Sequence, residues 1–102
     1  MNGQFMFHLR KPNGEVVLTS ESYPTMETAV RGVNVARASS STEARYERLF
    51  ARDGSPFFHL KARSGVVICT SEMYPSEAAR DRSIDACMRF GPIARLSDHT
   101  QH

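Results

Sequence analysis

Apolar and polar residues alternate at the start of the chain: Phe5, Phe7 and Leu9 take turns with Met6, His8 and Arg10. A period of two predicts a half-buried strand over Phe5–Arg10. Pro12-Asn13-Gly14 follows, with a proline that fixes φ and two residues that tolerate positive φ, so a turn is predicted there. Glu15–Ser20 reads as the second arm of a hairpin. Val16, Val17 and Leu18 run together, which leaves the buried face of that arm open. After the corner Glu21-Ser22-Tyr23-Pro24 the period changes. Met26, Ala29, Val30, Val33 and Ala36 recur at spacings of three and four, the stripe of a core-facing helix. Thr25 is its expected N-cap and Glu27 a first-turn acid that suits the helix dipole. The helix should stop near Arg37.

The same order of patterns then returns. Strands are predicted at Tyr46–Ala51, Phe57–Ala62 and Val66–Ser71, separated by Asp53-Gly54 and Ser64-Gly65. The corner Glu72–Pro75 leads to an N-cap at Ser76 and a helix over Glu77–Arg89, closed by Gly91-Pro92. Ile93–Leu96 is a candidate last strand, and Asp98–His102 reads as a frayed tail. The inner face of the second helix is expected to use Ala79, Ile84, Cys87 and Met88. Glu77, Arg80 and Asp81 stand where the first helix has Met26, Ala29 and Val30, so the second helix is expected to be loosely held at its N-terminal end.

The recurrence extends to residue identity. FHLRKPNGEVVLTSESYP, Phe7–Pro24, returns without a gap as FHLKARSGVVICTSEMYP, Phe58–Pro75. Such dense self-similarity marks a duplicated structural unit. A unit of about 50 residues is marginal alone, so the two copies should share one core. The expectation is a single α+β domain over 1–102 with a mainly antiparallel sheet and two helices. Repeat one spans 5–45 and repeat two 46–97. Tyr46–Ala51 has no counterpart ahead of Phe5, so repeat one lacks its first strand. The edge near Phe5–Arg10 should then be open to another chain, and a homodimer through it is the expected partner arrangement.

Composition narrows the function classes. Of 102 residues, 40% are apolar and 24% charged, the balance of an ordinary globular protein. No apolar run approaches the roughly 20 residues of a membrane helix, and the first residues lack a signal-peptide pattern. No membrane partner and a cytoplasmic location are therefore expected. Two cysteines, Cys69 and Cys87, are too few for a disulfide framework or a zinc site and fall in apolar patterns. The net charge is +2, with basic and acidic residues interleaved. Arg10, Lys11, Arg45, Arg48, Arg52, Lys61 and Arg63 surround the strands and turns, which keeps an arginine-mediated nucleic-acid binder as an alternative.

Candidate chemistry is sparse. His8 and His59 occupy matching positions opposite the Phe/Leu face, but no Cys, Asp or Glu completes a ligand set at short spacing, so no metal is expected. Ser20-Glu21 and Ser71-Glu72 invite a catalytic reading, and a small enzyme using this duplicated corner is a second alternative. A nucleophile needs a base and an orienting group; a strand-to-helix corner needs the same side chains to satisfy backbone groups. The second demand explains them with fewer assumptions. Phosphate-binding glycine loops are absent, and no cofactor is expected.

The recurring F-x-L-(K/R)-x-x-x-G-x-V followed by T-S-E-x-Y resembles the YegP-like family, small bacterial proteins of unknown function. It is carried by Phe7, Leu9, Gly14, Ser20, Glu21 and Tyr23, and again by Phe58, Leu60, Gly65, Ser71, Glu72 and Tyr74. The resemblance covers Phe5 to roughly Leu96. It implies tandem β(3)-α-β repeats that form a pseudo-dimer with exchanged C-terminal strands. One long strand through Ser41–Ala51 would cross the pseudo-twofold axis, and Ile93–Leu96 would return to repeat one. Taken together, the expected function is a non-enzymatic interaction or binding module, with the twelve signature residues structural and no catalytic, cofactor or metal residue assigned.

Overall fold

A computed structural model describes residues 4–90 and the backbone of 96–101. In chain order the elements are β1 (Gln4–Arg10), β2 (Val16–Ser20), α1 (Met26–Ser39), a 3-10 turn (Glu43–Arg45), β3 (Tyr46–Phe50), β4 (Pro56–Lys61), β5 (Val67–Ser71), α2 (Glu77–Phe90) and β6 (Leu96–Gln101). The strands form one six-stranded sheet in the order β3-β4-β5-β2-β1-β6, antiparallel at every junction. The architecture is α+β and built from two repeats.

Three hairpin turns share one design. In each, a glycine at φ 90–95° donates back to the residue three before it, and that residue donates across to the one after the glycine. This is a three-residue loop closed by a glycine bulge, and only glycine takes that φ without strain. Asn13 and Asp53 tighten two of them by accepting from the Glu15 and Ser55 amides, each at 2.9 Å. The register also shifts between Leu9 and Arg10 and between Leu60 and Lys61, which are matching places in the two repeats.

The helices cover the sheet face that carries Phe7, Leu9, Leu18, Tyr46, Phe58, Leu60 and Cys69. These residues form one buried cluster with Ala36, Ile84 and Cys87 from the helices. Val17 and Leu18 are both buried in this one cluster. The pairing passes from Leu9↔Leu18 to Arg10↔Val16, so Val17 is the extra residue of a bulge and the apolar run need not alternate. Phe7 stacks on Tyr23 and Phe58 on Tyr74 with the same geometry, 6.1 Å between centroids and 11° between planes.

That stack corrects the predicted face of α1. Thr25 caps it as expected, accepting from the Thr28 amide at 3.1 Å. But the buried residues are Ala29, Gly32, Ala36 and Ser39, while Met26 and Val30 are exposed. The Tyr23 ring already fills the space under the helix. A Cβ on Gly32 would collide with the Tyr23 phenol and lie 3.1 Å from Phe7 Cε2. Small residues must face inward beside the ring: Ala29, Val33 and Ala36 of the expected stripe keep to the core side, and Met26 and Val30 turn away. In α2 the matching place is Ser83, whose side chain hydrogen-bonds Tyr74.

Four further expectations are corrected. The N-terminal end of α2 is not loose: Arg80, at the place of Ala29, is buried to 3% exposure and anchored. Ser41–Ala51 is not one long strand, because the 3-10 turn precedes β3 and the Tyr46 hydroxyl donates to the Ser40 carbonyl at 2.6 Å. The edge at Phe5–Arg10 is not open, because β6 lies along β1 from Gln4↔Gln101 to Leu9↔Leu96. The expected last strand at Ile93–Leu96 falls mostly outside the described residues, as do Gly91 and Pro92. Residues 98–101, read as a tail, belong to β6. The outer strands are β3 and β6.

Gly32→Ala should lower stability by about 1–2 kcal/mol in urea unfolding. The collision under the helix outweighs the gain in helix propensity. The substitution Ser83→Ala should not produce a comparable collision.

Candidate functional site

The duplicated corner is built around two serine hydroxyls. Ser20 Oγ accepts from the buried Phe7 amide at 2.8 Å and donates to the Glu21 carbonyl at 2.8 Å. Ser71 Oγ does the same with Phe58 at 2.9 Å and Glu72 at 2.8 Å. Each proton is already committed to a backbone carbonyl. Glu21 and Glu72 are exposed, and no hydrogen bond links either carboxylate to its serine among the described residues. The corner brings together no nucleophile and base. Phe7, Leu9, Phe58 and Leu60 are core residues, Gly14 and Gly65 close turns, and Tyr23 and Tyr74 are half-buried under the helices.

The histidines sit on the other sheet face, in a row that crosses the strands through the Cα partners Glu47, His59, Thr70, Thr19 and His8. Three strand spacings separate the two, about 14 Å, which is beyond the reach of one ion. His8 Nδ1 lies 3.0 Å from Thr19 Oγ1. His59 Nδ1 is 3.6 Å from Glu47 Oε1, and its ring meets Phe57 edge-on. No group of three or more His, Cys, Asp or Glu among the described residues is placed to hold a metal. Burial pushes the thiols of Cys69 and Cys87 up to about 12, which keeps them protonated and unreactive.

The feature that sequence reasoning passed over is Arg80. Its Nε donates to Asp81 Oδ1 at 3.1 Å, one terminal nitrogen lies 3.4 Å from Glu77 Oε1 and the other 3.4 Å from the Leu49 carbonyl. Its guanidinium carbon lies 5.5 Å from the centre of the Phe50 ring. Asp81 also accepts from Arg48 Nε at 3.0 Å, and Arg48 reaches Glu43 at 3.5 Å. A buried cation is tolerable when its donors are met, and here they tie α2 to the outer strand. The signal was the break in the repeat at Ala29/Arg80. It read as a weakness because two of the partners, the Leu49 carbonyl and the Phe50 ring, lie on β3, distant in the chain.

Several cations proposed for nucleic acid are held by acids: Arg48 by Asp81 and Glu43, Lys61 by Glu47 at 3.4 Å, and Lys11 by Glu15 at 3.5 Å. Phe50, in contrast, is 57% exposed on the outer strand. No helix among the described residues is long and apolar enough to cross a membrane.

Comparison with known proteins places this geometry in a family of two-repeat α+β proteins. The chain matches the domain of unknown function DUF1508 twice, over residues 1–47 and 51–98. It is 42% identical to a UPF0339 protein of Acinetobacter baylyi across 97% of this chain and 89% of the relative. It is similar to the solution NMR structure of a UPF0339 protein from Shewanella oneidensis, with a TM-score of 0.78 and 38% identity over 90% of this chain and 86% of that one. It is also similar to the solution NMR structure of yegP from Escherichia coli, a protein of unknown function, with a TM-score of 0.80 and 38% identity over 86% and 76% of the two chains. The chain belongs to the UPF0339 family, whose YegP-like members its repeated motif resembles.

Ser20→Ala and Ser71→Ala should each cost about 2 kcal/mol in denaturant unfolding, because each leaves a buried amide without an acceptor. Asp81 gives a pH signature. The hydrogen bond from Arg48, then that from Arg80, holds its carboxyl below the usual 3.8. Its contribution is therefore present above the unfolded pKa and is lost as pH falls through the lower folded value. The difference in urea midpoint between wild type and Asp81→Asn, present at pH 6, should close as the pH is taken below 3.8.

Proposed function

We propose that this protein is a non-enzymatic binding module that engages its partner through the outer edge of β3. The observation that carries the reading is that β3 ends the sheet while presenting Phe50 with more than half its surface exposed. The occupied corner hydroxyls support it by leaving the duplicated Ser-Glu pair a structural task. The two repeats act as a pseudo-dimer with exchanged trailing strands: β3 follows α1 and pairs with β4, and β6 follows α2 and pairs with β1. On this reading the exchange closes the β1 edge and leaves β3 to do the binding. A cytoplasmic setting accords with two free buried thiols.

The edge is chemically defined. The Ala51 amide donates to Ser55 across the hairpin, and its carbonyl accepts from Gly54. Alternation along an antiparallel ladder then turns the backbone groups of Arg48 and Phe50 outward. An extended segment could add there as a further strand.

In affinity capture from a bacterial extract, wild type and Ser71→Ala should hold the same proteins, and Phe50→Lys should lose them. Equal capture by Phe50→Lys would overturn the reading. So would a turnover that Ser71→Ala abolishes while the melting temperature stays unchanged.

A further inference from the structure

We infer that the segment added to β3 is β3 of a second copy of this chain, paired antiparallel about a twofold axis at Leu49. The inference rests on the reading of β3 as the binding edge and names its occupant.

The strand is self-complementary in one register only. An isologous pair must be centred on one residue of the strand if outward backbone groups are to meet outward ones. Centred on Glu47, two acids oppose each other, and centred on Arg48, two cations do, both unfavourable. Centred on Phe50, Arg48 opposes Arg52. Centred on Tyr46, the pairing is blocked, because the Tyr46 amide already donates to Glu43 and the 3-10 turn occupies the approach. Centred on Leu49, two leucines meet on the uncovered face. Glu47 meets Ala51, and Arg48 lies opposite Phe50 of the second copy, twice over.

That last pair supplies the complementarity. Arg48 and Phe50 are two residues apart on one strand, so their side chains share the helix-covered side. The twofold axis between them sets each cation against the other copy's ring, a favourable pairing. Arg80 holds the Phe50 ring from its own side at 5.5 Å, which orders the ring before the partner arrives. Asp81 bridges Arg48 and Arg80 and offsets the local positive charge. The product is a continuous sheet of twelve strands, six from each copy, with the helices of both copies on one side.

The test uses the full chain. Leu49 and its twin form a non-hydrogen-bonded pair, whose Cα separation of about 4.5 Å suits a disulfide. The native cysteines are buried and do not compete. Under mild oxidation Leu49→Cys should give a covalent dimer on a non-reducing gel, while Glu47→Cys should not. In sedimentation equilibrium the wild-type dimer fraction should rise with concentration, and Phe50→Lys should weaken association at least about tenfold. A strict monomer at high micromolar concentration, or cross-linking of Glu47→Cys equal to that of Leu49→Cys, would overturn the inference. If the wild type is monomeric while Phe50→Lys still loses captured proteins, the binding edge stands and the second copy is excluded. If capture also survives Phe50→Lys, both fall.

Discussion

Each repeat turns on one hydroxyl. Ser20 and Ser71 sit where a central strand leaves the sheet, and each takes the buried amide of a phenylalanine on the neighbouring strand. A buried amide without an acceptor is costly, so the corner is pinned at that point. The pinned corner sets the tyrosine two residues after the glutamate under the helix, stacked on the same phenylalanine. The tyrosine then dictates how closely the helix approaches and which residues face inward. Hydrogen bond, stack and helix face are links of one chain, and it is built twice.

The two copies diverge where α2 meets the outer strand. In repeat one an alanine is enough at position 29. In repeat two Arg80 fills that place and reaches two acids, a carbonyl and an aromatic ring. Buried charge is weak evidence of stability as such. Here its consequence is positional: β3 and its exposed Phe50 are fixed to α2 by Arg80 and Asp81. A duplicated fold thus acquires a distinct end without changing its core.

The corner, the turns and the central strands were legible in the sequence because they rest on local chemistry. Gly14, Gly54 and Gly65 adopt the positive φ that their turns require, and Thr25 and Ser76 accept from the amides three residues on. The buried face of α1 was legible only in part: Ala29 and Ala36 of the expected stripe are buried, Met26 and Val30 are not. Met26 and Val30 have the spacing of core residues, but the decision belonged to Tyr23, which no helical periodicity includes. A last strand returning to repeat one was implied by the family resemblance, but the extent of β6, Leu96–Gln101, was not legible. Residues 97–101 are polar and carry no alternation, so nothing local marked them as a strand.

By itself, the sequence determined the duplication, the α+β class and the residues on which each unit folds, because identity at fixed spacing and local backbone demands are properties of short segments. The tertiary structure decided which strand closes which edge, which side of α1 faces inward and that Arg80 is an anchor and not a flaw. Those outcomes depend on partners distant in the chain: β1 finds β6 across nearly the whole sequence, and Arg80 finds β3 from the next helix. Pairing across such distances is set by the space and the unmet backbone groups left when the core has formed, and no short segment carries that information.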